Sequence, residues 1–253
     1  MRRINDGGYM KETIGNVLLN LDYYDGEDAY SDGSIEDRLL EIVKTTPKED
    51  YQKVILTEKS WPIFYHLSPE RENILDWYEW KDDASVFEVG AGCGAISGVL
   101  CRNAKRVVAN DLSKRRSTIN AYKNQDASTD SLNQECVDER FDYVTLIGVL
   151  EYAKSYIGKD NPYPEYLEKI NRLLKPGGKI LIAIENRLGL KYFAGCREDH
   201  VPCADWTTPA RYRSWSRCCR KTVFRSSSFI IPIRITNFRR SFIRMNICRS
   251  RVN

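Results

Sequence analysis

From Ser85 to Glu185, short apolar runs alternate with stretches of helical period, and no other feature of the chain constrains its fold as much. Val86-Phe87-Glu88-Val89, Arg106-Val107-Val108-Ala109-Asn110, Asp142 to Gly148 and Lys179 to Glu185 read as four strands. Between them come three helices. One runs from about Ala95 to Asn103, and a second is capped by Ser113 and continues through Ile119 and Tyr122. The third passes through Tyr166, Ile170, Leu173 and Leu174 and stops at Pro176-Gly177-Gly178. Strands separated by helices do not pair as hairpins. They form a parallel sheet through right-handed crossovers, so the expected class is α/β, a mostly parallel sheet with helices on both faces.

The chain before Ser85 reads differently. Ser34 precedes an apolar pattern of helical spacing from Ile35 to Val43, with Ser34 and Asp37 in the positions of a capping box. Ser68-Pro69-Glu70 is a second helix start, and that helix runs through Ile74, Leu75, Trp77 and Tyr78. Leu21 to Tyr30 is an acidic, aromatic loop, either a solvated connection or a lid. The expected organisation is a helical N-terminal cap over 1–80, a core over 81–200 and a basic irregular tail over 201–253.

Composition narrows the class. With 42% hydrophobic and 29% charged residues, the chain has an ordinary soluble make-up. No apolar run nears the ~18 residues of a membrane span. The start, Met1-Arg2-Arg3-Ile4-Asn5-Asp6, has no apolar stretch behind it, so no secretory signal is expected. Eight cysteines include no C-x-x-C pair, which argues for reduced thiols in a cytoplasmic protein, with neither a metal site nor a disulfide framework. The net charge of +4 is unevenly divided. From Ala204 onward eleven arginines and one lysine face a single acid, Asp205, while the rest of the chain is acidic. A nucleic-acid role would rest on that tail alone and is not expected.

The chemistry concentrates in Glu88-Val89-Gly90-Ala91-Gly92-Cys93-Gly94, placed between the first strand and the helix after it. Glycines there let a ligand approach the backbone, and the helix start offers free N–H groups to an anionic group. Asp111 ends the next strand, 21 residues after Gly90, where a carboxylate accepts hydrogen bonds from a ribose diol. Gly90-x-Gly92-x-x-Ala95 also satisfies the looser dinucleotide fingerprint, so a nicotinamide cofactor fits the glycines alone. Three neighbours shift the balance: a carboxylate at Glu88, an immediate third glycine at Gly94, and the later segments Phe141 to Val144, Val149 to Tyr152 and Leu173 to Leu181.

In order and spacing these segments resemble the motifs of Rossmann-like S-adenosylmethionine-dependent methyltransferases. The resemblance implies that Glu88, Gly90, Gly92 and Gly94, with Ala91 in the same turn, hold the methionine part of S-adenosylmethionine. It implies that Asp111 binds the ribose, with Leu112 and Ser113 beside the adenosine, and that Ile147 and Gly148 lie along the cofactor on its reactive side. Ile14 to Asn20, Lys59 to Pro62, Tyr65 to Ser68 and Glu185 to Phe193 also look like a bacterial subgroup found with glycan-assembly enzymes and joined to glycosyltransferase modules. That subgroup implies a small-molecule or glycan acceptor. For a hydroxyl acceptor the candidates for a base are Glu151, Tyr152 and His66, with Glu185 and Asn186 nearby. A histidine beside a tyrosine is more often a packed residue than a catalyst. The rival readings are a nicotinamide-dependent oxidoreductase and a degenerate, non-catalytic remnant.

Two stretches depart from the family pattern. The interval from Gln125 to Arg140 has no β-branched run, so an edge strand expected there looks shortened or lost. After Cys203 the final helix and strands give way to an Arg-, Ser- and Cys-rich stretch without amphipathic period, and the last strands are expected to be missing. Read two bases later, with free wobble positions, the tail from Ala204 yields an amphipathic helix, a glycine stop and strand-like aromatic runs. The tail is therefore expected to be a frameshift product, the competing reading being a basic arm for nucleic acid or anionic lipid.

Overall fold

The computed structural model describes residues 2–6, 9–22, 24, 26–28, 31–127, 139–153, 157–158 and 161–184. They fall into two compact units divided between Phe141 and Asp142. The strands of the α/β sheet, in chain order, are β4 (Ser85–Val89), β5 (Arg106–Asn110), β6 (Phe141–Ile147) and β7 (Leu174–Ala183). Their order in the sheet is β5-β4-β6-β7, as expected of a parallel sheet built through crossovers.

The first unit opens with a three-stranded antiparallel meander: β1 (Arg2–Asp6), β2 (Tyr9–Ile14) and β3 (Val17–Asn20). The N-terminal segment is thus not helical throughout. Ile14 pairs with Val17 across a two-residue turn, Gly15-Asn16. Gly15 has a φ of +56°, and a Cβ there would collide with the backbone of Gln125, because the Asn16 N–H donates to the Gln125 carbonyl at 2.8 Å.

Four helices follow: α1 (Ser34–Thr45), α2 (Tyr51–Glu58), α3 (Trp61–Leu67) and the short α4 (Asn73–Asp76). The first and last lie where the apolar spacing places them, the last ending at Asp76, short of Trp77 and Tyr78. The middle two fall in a stretch where no helix is expected. Ser34 is the first residue inside α1 and Gly33 is its N-cap, so no Ser34 capping box forms. Ser68 does cap as expected: its hydroxyl accepts from the Glu70 N–H ahead of a 3-10 turn over Pro69–Glu72 that leads into α4. Leu39, Ile42 and Val43 of α1 meet Tyr51, Ile55, Ile63 and Leu67, and the same core takes in Cys93 and Ile119. Burial of this apolar stripe, at about 25 cal/mol per Å2, is what binds the helical layer to the segment that carries the glycines.

β4 and β5 pair in parallel, with Val86 opposite Val107 and Glu88 opposite Ala109. They are joined by α5 (Ser97–Asn103), which starts two residues later than the sequence suggests. After β5 comes α6 (Lys114–Lys123), whose N-cap Ser113 accepts from the Arg116 N–H at 3.2 Å. In the second unit α7 (Tyr163–Arg172) buries Leu167 and Ile170 and leads into β7. That strand begins at Leu174 and so includes Pro176-Gly177-Gly178, where a turn is expected; Gly177 keeps a φ of +78°. Among the described residues no helix is long and apolar enough to cross a membrane. The interval 128–138, Glu185, Asn186 and the tail after Cys203 lie outside the described residues.

Candidate functional site

β4 is buried from Ser85 to Glu88 and ends at a turn in which Gly90, Gly92 and Gly94 all have positive φ, +65°, +56° and +74°. The turn is tied to the neighbouring strand by the Ala91 N–H, which donates to the Asn110 carbonyl at 2.9 Å. Asp111 closes it. Its Oδ2 accepts from the Gly92 N–H at 2.8 Å and its Oδ1 from the Ser113 N–H at 2.9 Å. Burial pushes the Asp111 carboxyl above its ordinary range, and those two N–H groups pull it back. Leu112, the residue between them, is 57% exposed, one of few large apolar side chains left open to solvent among the described residues.

Beneath the turn lies a buried polar chain. Glu88, 3% exposed, accepts from the Ser97 hydroxyl at 2.6 Å. The Ser97 hydroxyl accepts from Asn120 Nδ2 at 2.9 Å, and Asn120 Oδ1 accepts from Asn124 Nδ2 at 2.7 Å. Burial pushes the Glu88 carboxyl up to about 7. Gly94 must lack a side chain because a Cβ would run into Asn120 Oδ1 and Cγ. Lys123 fixes the same turn from below: its Nζ donates to the Gly94 carbonyl at 2.9 Å and to the His66 carbonyl at 2.6 Å. Burial lowers the lysine to about 8.

The first unit therefore brings Glu88, Gly90, Ala91, Gly92, Gly94, Asp111, Leu112 and Ser113 to one end of β4 and β5. Ile147 ends β6 in the second unit, and Gly148 follows with a φ of +68° and an N–H that donates to the Ala183 carbonyl at 2.9 Å. Glu151 and Tyr152 occupy a 3-10 turn over Leu150–Tyr152, and Glu151 Oε1 lies 3.6 Å from where a Gly148 Cβ would sit. His66 sits in α3, edge-on to Tyr65 at 5.0 Å. Burial and then the Lys123 charge lower it to about 3, so it is neutral at physiological pH and a weak base.

Sequence reasoning misses Ser97, Asn120, Lys123 and Asn124. The available signal is α6 itself, whose buried side carries Asn120 and Lys123 among Ile119 and Ala121. Polar residues on a core face are a cue for a network.

The model of a methyltransferase domain matches residues 63–222, more than half of the chain. The chain belongs to that methyltransferase family. S-adenosylmethionine is the cofactor of this methyltransferase domain. No curated protein sequence matches it. Among solved structures the domain is similar to phosphoethanolamine N-methyltransferase 1 of Haemonchus contortus, at 18% identity, covering 57% of this chain and 32% of that one, with a TM-score of 0.39. It is similar to the N-methyltransferase NodS of Bradyrhizobium japonicum, at 22% identity over 38% of this chain and 54% of that one, TM-score 0.32. A methyltransferase from Aquifex aeolicus shares 14% identity over 70% of this chain and 88% of that one, TM-score 0.44. The chain thus spans about a third and about half of the first two proteins.

Proposed function

We propose that this chain transfers the methyl group of S-adenosylmethionine to a small-molecule or glycan acceptor. The observation that carries the reading is the Asp111 carboxylate, fixed by the N–H groups of Gly92 and Ser113 beside three left-handed glycines. The residues suit the cofactor: a Cβ at Gly92 would meet nothing within 4 Å, so the turn has open space where a ligand comes close.

In this reading Asp111 takes the ribose hydroxyls and Leu112 and Ser113 flank the adenosine. Gly90, Ala91, Gly92 and Gly94 hold the methionine part, with Glu88 supporting the turn from beneath. Ile147 and Gly148 lie on the reactive side. Bound S-adenosylmethionine supplies an activated methyl group on a sulfonium, so the protein's task is to orient the acceptor and exclude water. A hydroxyl acceptor also needs its proton removed, and Glu151 and Tyr152 are the candidates, His66 being too weak a base.

The organisation that goes with this reading is an N-terminal cap over 1–80, a catalytic core over 81–200 and a tail over 201–253. With cysteine usage favouring the cytoplasm as the place of action, the glycan-assembly likeness adds glycosyltransferase modules as partners. It also carries the frameshift reading of the tail from Ala204; against it stands the family match, which continues to residue 222.

Calorimetric titration of S-adenosylhomocysteine into the purified chain tests the reading. Micromolar binding that Asp111→Ala weakens by about a hundredfold is expected, since charge-assisted hydrogen bonds are lost. Tighter binding of NAD, or none by a folded chain, refutes it.

A further inference from the structure

β3 brings Asn20 to a small cavity whose other walls include Leu19, Ala91, Ala109, Asp111 and Asn120. Asn20 is fully buried. Its Oδ1 accepts from the Asp22 N–H at 2.9 Å, and because a backbone N–H can only donate, that bond fixes which end of the amide is oxygen. Nδ2 then faces the other way, and it has no hydrogen-bond partner among the described residues. Buried donors are ordinarily matched, so one left over beside a ligand site points to a partner that arrives with the ligand.

We propose that Asn20 completes the cofactor pocket, its Nδ2 donating to an acceptor atom on the nucleoside half of S-adenosylmethionine. The proposal rests on the assignment of Asp111 to the ribose. Asp111, as a carboxylate, only accepts, and it repels the ring nitrogens and ether oxygen that a nucleoside also presents. An amide donor in the same cavity supplies the complementary half of the recognition. Asn20 lies ahead of residue 63, where the family match begins, so this contact comes from the N-terminal meander and not from the matched domain.

The test titrates S-adenosylhomocysteine and 5′-methylthioadenosine, which lacks the amino acid part, into the full chain, Asn20→Asp, Asn20→Ala and Asp111→Ala. Asn20→Asp keeps the shape and the acceptor for Asp22 but adds a carboxylate to the cavity that Asp111 lines, so Asn20→Ala, which removes the donor without adding charge, is read beside it. Both Asn20 variants are expected to bind both probes about tenfold more weakly, the effect of one hydrogen bond. Unchanged affinity in the two variants overturns the proposal and leaves the amide to water. Weakening confined to S-adenosylhomocysteine overturns the nucleoside assignment. No binding by the unaltered chain, or binding that Asp111→Ala leaves intact, defeats the underlying cofactor-site reading and this proposal with it. A second measurement needs no folded variant: the side-chain amide protons of Asn20 should shift in the NMR spectrum when 5′-methylthioadenosine is added, and an unmoved resonance refutes the contact.

Discussion

Glu88 shows how the glycine turn is held at a cost in stability. Burial drives its carboxyl up to about 7, against the Ser97 hydroxyl and the Lys123 charge, which draw it down. In the unfolded chain it returns to the ordinary carboxylate value of 4.5. Between those values the native chain holds a proton that the unfolded chain has lost. Stability from this group therefore grows as pH falls from about 7 toward 4.5, and above 7 the burial penalty is present in full. Glu88→Gln, which still offers an oxygen to Ser97, should be more stable than the parent by about 1–3 kcal/mol at pH 8. That advantage should shrink toward pH 5. Urea denaturation at the two pH values checks both the sign and the trend.

Among the elements, α6 does most to join the helical layer to the glycine turn. Arg116 reaches from its first turn to Glu36 Oε1 at 2.7 Å and Asp32 Oδ2 at 2.8 Å, at the start of α1. Burial works against the Glu36 carboxylate, yet Arg116, the Asp32 N–H and the Ser31 hydroxyl hold its pKa below the ordinary value. Arg116→Met leaves that carboxylate buried with its cation gone and should cost about 2–4 kcal/mol, less than a fully buried pair because Asp32 is half exposed. Adding Glu36→Gln should recover part of the loss in a chemical denaturation series. The Ser113 cap of α6 is legible because serine is a favoured N-cap before a helical run, although at α1 the cap falls one residue earlier, on Gly33. The meander of β1 to β3 is not, since its short strands carry little alternation. Gly15-Asn16 between Ile14 and Val17 is the hairpin signal that stretch does hold.

At the scale of the whole chain, charge is the clearest asymmetry, with eleven arginines after Ala204 and an acidic remainder. The frameshift reading makes that composition an accident of translation phase. Sequencing the coding DNA across Cys203 and Ala204 should reveal a shifted frame, and an uninterrupted one with the printed phase in independent isolates refutes it. If the frame is shifted, a version with the restored tail should melt several degrees higher, since covering an apolar face adds burial.

By itself the sequence determined the α/β class, the order of β4 to β7 along the chain, and the residues of the glycine turn with Asp111. Those follow from periodicity and from backbone demands that few residue types meet, and both are local. Only the tertiary structure decided what lies beneath and across from that turn. Glu88, Ser97, Asn120 and Asn124 form one hydrogen-bonded chain although 36 residues separate its ends, and Lys123 finds the carbonyls of Gly94 and His66. Asn20 meets Asp111 at the same cavity from a hairpin far upstream. Such partners are chosen by packing, which brings distant segments together and leaves no repeating mark in either.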